Sequence, residues 1–119
     1  MRIIYYDLET TGLEPREGPN GVQIVQIGAT SRYRGRKTTF GAYLVPSIKV
    51  TEPAVSIHGL TNKELHDKLR KGQAHGIKKG LKLFVDWIDD IIADDHENNV
   101  VLVSYQISIS NGGNSFLFF

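Results

Sequence analysis

Hydrophobic residues in the first half of the chain group into short runs that are typical of β-strands. The three runs cover residues 2–6, 22–29 and 38–45. The first is almost wholly apolar or aromatic, which predicts a central strand. Prolines and a glycine make residues 14–20 a predicted loop, and residues 32–37 a basic turn. Short connections between consecutive strands predict an antiparallel meander.

The second half of the chain predicts helices. Residues 53–60 show no regular pattern, and we expect a loop there. Thr61 has the character of a helix N-cap, with Glu64 completing a capping box, so a short helix is expected over about residues 62–70. Apolar residues then recur at spacings of three and four over residues 77–92, which is the pattern of an amphipathic helix.

An apolar run at residues 100–105 predicts a fourth strand. A right-handed crossover through the preceding helix would place it parallel to the first strand. Residues 107–110 can extend this strand, residues 111–114 predict a turn, and the chain then ends on apolar residues. The expected fold class is α/β, with three antiparallel strands followed by helices and a parallel strand.

Two carboxylates, Asp7 and Glu9, follow the first strand at a spacing of two. Side chains at positions i and i+2 of a strand point to the same face. Neighbouring carboxylates repel unless a cation lies between them, and hard divalent ions such as Mg²⁺ prefer such oxygen ligands. The pair therefore predicts a metal site, with a solvated strand end as the simpler alternative.

Composition limits the class of protein. With 119 residues, 40% hydrophobic and 23% charged, the chain is expected to form a single domain over residues 1–119. No apolar run approaches the roughly 18 residues of a membrane span, and the start of the chain is not a secretory signal. The chain has no cysteine, which excludes disulfides and thiolate metal sites. We expect an intracellular protein without membrane contact, of unknown oligomeric state.

Positive charge is concentrated in two segments, although the formal net charge is only +1. One segment is residues 32–37 and the other is residues 63–82, whereas acids gather in residues 86–97. Solvated surfaces explain most such runs. Basic segments in the same chain as a carboxylate pair are also what an enzyme acting on phosphodiesters could use.

Three segments resemble, in order, the DEDD (DnaQ-like) 3′→5′ exonuclease family. They are residues 7–12 (DLETTG), 23–29 (QIVQIGA) and 55–61 (VSIHGLT). The first is similar to the start of the family's first motif, the second to its second strand, and the third to its His-Gly-Ile/Leu-Thr segment. The resemblance covers about residues 2–105 and implies a ribonuclease H-like mixed sheet, of which the C-terminal part is missing here.

The resemblance implies hydrolysis of phosphodiester bonds at the 3′ end of single-stranded DNA or RNA. Asp7 would bridge two Mg²⁺ or Mn²⁺ ions about 4 Å apart, and Glu9 would hold one of them. The family pattern places four residues at the terminal nucleotide: Thr10, Thr11, Gly12 and Leu13. Backbone N–H groups of Thr10 and its neighbours would be the donors. Leu13 would either wedge against the terminal base or pack in the core.

His58 lies in the third resembling segment and so belongs to the implied nucleic-acid site. Imidazole titrates near neutrality and could act as a general base. In the family, however, the basic histidine lies in a later motif. We therefore expect His58 to be mainly structural, ordering the loop before Thr61.

Part of the family pattern is absent. The family has an acid shortly after the fourth strand, and later a His or Tyr with a further Asp. No acidic residue follows Glu97; Asn111 and Asn114 lie near the first expected position. An amide binds a metal more weakly because it carries no charge. We expect a truncated or degenerate domain that binds metal weakly and hydrolyses nucleic acid poorly or not at all.

Two other functions stay open. The helix with Trp87 and the valines that follow are also similar to the exonuclease-like domain of exuperantia-type RNA-localisation proteins, which have lost catalytic acids. The chain would then be an inactive nucleic-acid-binding module, although retention of Asp7 and Glu9 argues against this. An interaction domain without a nucleic-acid role is the third possibility.

Overall fold

The computed structural model describes residues 1–13, 21–107 and 114–118. Within these residues the elements are β1 Arg2–Thr10, β2 Ile24–Tyr33, β3 Arg36–Val45, α1 Glu52–His58, α2 Asn62–Arg70, β4 His75–Gly76, α3 Ile77–Asp94, β5 Val100–Ile107 and β6 Asn114–Phe118. The strands follow the order β4-β3-β2-β1-β5-β6. β1 therefore lies in the interior of the sheet, as its apolar sequence predicts. The predicted loop at residues 14–20 lies outside the described residues.

The predicted parallel pairing of the fourth main strand with the first is confirmed, and the right-handed sense of the crossover stays a prediction. β5 is parallel to β1, with Arg2 opposite Val100, and α3 precedes it in the chain. Two short strands were not expected from the sequence. β4 pairs with the end of β3, and β6 is antiparallel to β5, with Val103 opposite Phe118. The apolar end of the chain thus extends the sheet by one strand.

β2 and β3 form a hairpin with a turn of two residues. Arg34 and Gly35 both have positive φ angles, 50° and 79°. This is the conformation of a type I′ turn, whose twist matches that of the flanking antiparallel strands. The predicted basic turn at residues 32–37 is therefore shorter than expected, and Arg32 and Arg36 are exposed strand residues.

The expectation of a loop at residues 53–60 is wrong, because α1 occupies Glu52–His58. The side chain of Thr51 caps the first turn, and Pro53 lies at the helix start, where a missing N–H costs nothing. Gly59, in the left-handed conformation with φ 74°, ends the helix. Caps rather than apolar periodicity define these seven residues, so the hydrophobic pattern does not reveal them.

The other two predicted helices are confirmed. In α2 the Thr61 hydroxyl accepts the Glu64 N–H at 3.2 Å, which is one half of the predicted capping box. α3 extends two residues beyond Ile92, to Asp94. In the described part of the chain, no helix is long and apolar enough to cross a membrane.

The chain forms two compact units. The first comprises Met1–Asp7, Gly28–Gly41 and Phe84–Phe119. Its core is built from buried Ile4, Ala29 and Ile91, packed by Tyr6, Phe40, Phe84, Trp87, Ile88, Val100 and Leu102. The rings of Phe84 and Trp87 are stacked with centroids 6.2 Å apart. Not every apolar residue of α3 faces this core, since Val85 is 52% exposed.

Asp95 is a buried carboxylate at the end of α3, and its side chain is 2% exposed. It accepts the N–H groups of Asn99 at 3.2 Å and Glu97 at 3.1 Å, and it lies 3.5 Å from the α-ammonium group of Met1. The Asn99 N–H, with help from the ammonium charge, lowers the pKa of Asp95. A hydrogen bond to Glu97, together with the charge of Asp95, raises the pKa of the Met1 α-ammonium.

We expect these two shifts to give stability a maximum between acid and alkali. A lowered pKa means that the contribution of Asp95 is complete above the ordinary aspartate value of about 4 and is lost as pH falls. A raised pKa means that the contribution of the ammonium group is complete below its ordinary value of about 8 and is lost as pH rises. Urea unfolding between pH 3 and 9 measures the loss of stability on the acid side (the acid arm) and on the alkaline side (the alkaline arm). Asp95→Asn should flatten the acid arm, and an unchanged acid arm would contradict the assignment.

The second unit comprises Leu8–Ile27 and Ala42–Leu83. Its core contains Val25, Val50, Ala54, Leu60 and Leu65, with Tyr43, Val45 and Val55 packed against them. Gly80, in the first turn of α3, lies against Leu44, which is fully buried. A Cβ atom at Gly80 would be 1.8 Å from Leu44 Cδ2. The glycine that weakens the helix pattern is thus required for close packing.

Gly80→Ala should lower the free energy of unfolding by about 1 kcal/mol. Overpacking against buried Leu44 costs about 1–3 kcal/mol, which exceeds the roughly 1 kcal/mol that alanine gains in a helix. Urea unfolding followed by circular dichroism measures the difference. Gly41→Ala is the control, because no atom lies within 4 Å of a Cβ built there. Equal stability of the two variants would contradict the packing argument.

Candidate functional site

β1 carries both carboxylates of the predicted metal site. The strand runs to Thr10, so Asp7 and Glu9 are strand residues whose spacing directs both side chains to one face. Asp7 is exposed and Glu9 is half-buried. In the first unit, Asp7 lines an open cavity of about 540 Å³. The other lining residues belong to β1, β2 and β3: Tyr5, Tyr6, Gly28, Ala29, Thr30, Thr39 and Phe40.

The carboxylates on β1 are the type of ligand that a hard divalent cation prefers. Mg²⁺ and Mn²⁺ prefer oxygen ligands, and carboxylates supply both oxygen and charge. Among the residues that the structure describes, no group of three or more His, Asp or Glu side chains is arranged to hold a metal. Metal binding by Asp7 and Glu9 therefore stays a prediction.

Hydrogen bonds within the second unit hold the turn that follows β1. Thr11, which is 1% exposed, donates its N–H to the Gln23 carbonyl at 2.8 Å. Its hydroxyl accepts the Gln23 N–H at 3.0 Å, and its carbonyl accepts the Thr51 N–H at 2.8 Å. The Thr11 N–H, which the resemblance would offer to a nucleotide, is therefore engaged by Gln23.

Gln23 also links the start of β2 to the segment that follows β3. Its amide Nε2 donates to the Ser47 hydroxyl at 2.7 Å, and its Oε1 accepts the Ser47 N–H at 2.8 Å. This role of Gln23 is not among those expected from the sequence. The available signal was the position of Gln23, which departs from the alternation expected of a strand.

His58 makes two hydrogen bonds, one to Leu60 just after α1 and one to the end of β1. Its Nδ1 accepts the Leu60 N–H at 3.0 Å, so the ring proton lies on Nε2. Nε2 then donates to the Thr10 carbonyl at 2.8 Å. Both ring nitrogens are thus used within the protein. This is the structural role expected of His58, and it orders the turn as well as the segment before Thr61.

His58→Ala should lower the free energy of unfolding by about 1–2 kcal/mol, because the Thr10 carbonyl and the Leu60 N–H lose their partner. Chemical denaturation measures the loss. Ser56→Ala is the matched control on the same helix, since it removes one exposed hydrogen bond to the Glu52 carbonyl, and it should stay within about 0.5 kcal/mol of the parent. If both variants lost the same stability, the linking role of His58 would be refuted.

The remaining turn residues differ in exposure. The Thr10 hydroxyl donates to the Gly12 carbonyl at 2.6 Å, and Gly12 is buried. Leu13 is 46% exposed, which is not the environment of a core residue. Ile57, beside His58, is 50% exposed. Two exposed apolar side chains therefore belong to the segments that the His58–Thr10 hydrogen bond joins.

A match to a family model covers most of the chain. The model for the RNase T family, described as exonuclease, matches residues 4–103. DNA polymerase III subunit epsilon from Rickettsia felis is 39% identical over 70 residues, which is 57% of this chain and 29% of that protein. The subunit from Rickettsia conorii gives the same values. The matched segment thus spans less than a third of the length of these relatives.

Solved structures show the same fold. A full-length 3′-exonuclease superposes with a TM-score of 0.64 at 18% identity, covering 87% of this chain and 33% of that one. The nuclease domain of 3′hExo, a DEDDh family member bound to rAMP, superposes with a TM-score of 0.61 at 19% identity, covering 87% of this chain and 50% of that one. The predicted ribonuclease H-like mixed α/β fold is therefore confirmed, as a partial fold.

Proposed function

Since this chain belongs to the RNase T exonuclease family and is a DEDD 3′→5′ exonuclease family member, we propose that the end of β1 engages the 3′ end of single-stranded DNA or RNA. The observation that supports this most is that two carboxylates and a hydrogen-bonded turn follow one another along β1. Asp7 and Glu9 share a face of β1, and the turn that follows is fixed by hydrogen bonds. The carboxylates would hold Mg²⁺ or Mn²⁺.

The turn would contact the terminal nucleotide. The Thr10 carbonyl is held by His58, so the backbone of the turn has a defined direction. Leu13 is exposed, which favours its role as a wedge against the terminal base over packing in the core.

Divalent metals are used generally in this family. When bound, two such ions activate the attacking water and stabilise the leaving oxygen. The residues of this chain have separate tasks. Asp7 and Glu9 supply the negative charge that holds cations, and the turn orients the nucleotide whose bond is cleaved.

We also propose that hydrolysis by this chain is impaired. Asp7 and Glu9 are two of the four carboxylates of the family pattern, and the sequence has no acid after Glu97. Fewer carboxylates mean less negative charge to balance two divalent cations. Weak metal binding and slow or absent release of mononucleotides are the expected consequences.

Titration with Mn²⁺, followed by electron paramagnetic resonance, measures the metal site. The chain should bind Mn²⁺ weakly, and Asp7→Ala or Glu9→Ala should abolish the binding, because each removes half of the carboxylate charge on β1. Asp89→Ala is the matched control, since it removes an exposed carboxylate from α3 and should leave binding unchanged. Binding that survives in both β1 variants would contradict the assignment of these ligands.

Release of mononucleotides from end-labelled single-stranded DNA and RNA measures the reaction. We expect little or no release, and any release should require metal and Asp7. Rapid metal-dependent release that Asp7→Ala abolishes would support the exonuclease and overturn the impairment. Tight oligonucleotide binding that needs neither metal nor Asp7 would instead indicate the inactive binding module.

A further inference from the structure

We propose that Thr11 and Gln23 are positioning residues for the nucleotide-contacting turn, residues 10–13. The four residues whose hydrogen bonds meet here, Thr11, Gln23, Ser47 and Thr51, are called the Thr11 clasp. This inference rests on the proposed function, because it concerns how the same turn is held. Neither Thr11 nor Gln23 needs to touch the nucleotide or the metal with its side chain, since each acts by holding the backbone of the turn.

The turn needs partners from outside the strand. β1 ends at Thr10, so the backbone groups of the following residue leave the regular pairing of the sheet. Thr11 is nevertheless 1% exposed, and buried N–H and C=O groups are costly unless they are paired. The clasp supplies the partners, because Gln23 accepts the Thr11 N–H and Thr51 donates to the Thr11 carbonyl.

The Thr11 hydroxyl makes the clasp specific. Together with the Thr11 N–H it forms a reciprocal pair of hydrogen bonds with the backbone of Gln23, at 2.8 and 3.0 Å. Two contacts between the same residues fix orientation as well as distance. Valine has nearly the shape of threonine but cannot accept the Gln23 N–H. Serine keeps the acceptor.

Gln23 extends the clasp to a third strand end. Its side chain makes two hydrogen bonds with Ser47, at 2.7 and 2.8 Å, just beyond the end of β3. The turn after β1 is therefore tied through Gln23 to the start of β2 and to the end of β3. The side chain of Gln23 can be removed without altering its backbone bonds to Thr11, which provides a second, milder variant.

A held turn lowers the cost of binding. A nucleotide that binds a mobile turn must also pay for ordering it, whereas a turn that is already ordered does not require this. Loosening the clasp should therefore weaken nucleotide binding while the fold is retained. This consequence distinguishes positioning from a purely structural role.

The test compares four variants of the full 119-residue chain. Binding of adenosine 5′-monophosphate with Mg²⁺ is followed by amide chemical shifts, and amide hydrogen exchange is measured without ligand. Thr11→Val should weaken binding about tenfold, equivalent to about 1.4 kcal/mol, and should speed exchange of the Thr11 and Thr51 amides. Thr11→Ser should restore both. Gln23→Ala should change affinity and exchange in the same direction by a smaller amount. It replaces Thr11→Val as the test if Thr11→Val does not fold.

Ser31→Ala is the matched control. Ser31, like Thr11, has a buried hydroxyl group. It lies on β2 in the first unit and donates to the Ile3 carbonyl at 3.0 Å. It should lose stability while keeping parental nucleotide affinity and parental exchange at Thr11 and Thr51. If Ser31→Ala weakens binding as much as Thr11→Val does, or if Thr11→Val leaves binding and exchange unchanged, the positioning role is overturned.

Failure of the proposed function gives a different result. A parent chain that binds no adenosine 5′-monophosphate overturns nucleotide engagement at this turn. The exchange measurement then decides the clasp by itself, because it needs no ligand. Faster exchange at Thr51 in Thr11→Val supports the clasp, and parental exchange refutes it.

Discussion

A strand that leaves its sheet must find new partners for its backbone groups, and at the end of β1 this requirement determines the arrangement of the site. The Thr10 carbonyl is bound by His58, and the backbone of Thr11 is bound by Gln23 and Thr51. These partners come from two separate parts of the sequence, the residue before β2 and the two ends of α1. The turn beside the carboxylates is therefore built by the fold itself, before any ligand binds.

The sequence predicts an element well when the signal lies in neighbouring residues or when the topology leaves the element few places to pair. The capping residues Thr61 and Glu64 define the start of α2, and an apolar strand after a helix has few places to pair other than beside β1. α1 is too short for a periodic pattern, and only its caps at Thr51 and Gly59 define it. β6 depends on pairing with β5, and no local pattern reveals such a partner.

The candidate site divides in the same way. Asp7 and Glu9 can be proposed as a metal site from the sequence because their chemistry and their spacing lie within three consecutive residues of one strand, and their metal-binding role stays a prediction. The roles of Gln23 and Thr51 depend on where distant backbone groups meet, which the sequence does not display. Leu13 is 46% exposed, which is incompatible with a core position, while its contact with the terminal base stays a prediction.

The proposed function makes two physical demands on this chain, and different residues would meet them. Under the proposed function, orientation of the nucleotide would depend on the hydrogen bonds that hold the turn, which His58 and Thr11 make. Retention of two divalent cations depends on negative charge, of which β1 supplies only Asp7 and Glu9. The proposed contact with a terminal nucleotide and the proposed retention of cations would therefore depend on different atoms of the same short segment, so that each can be altered by substitutions that leave the other in place.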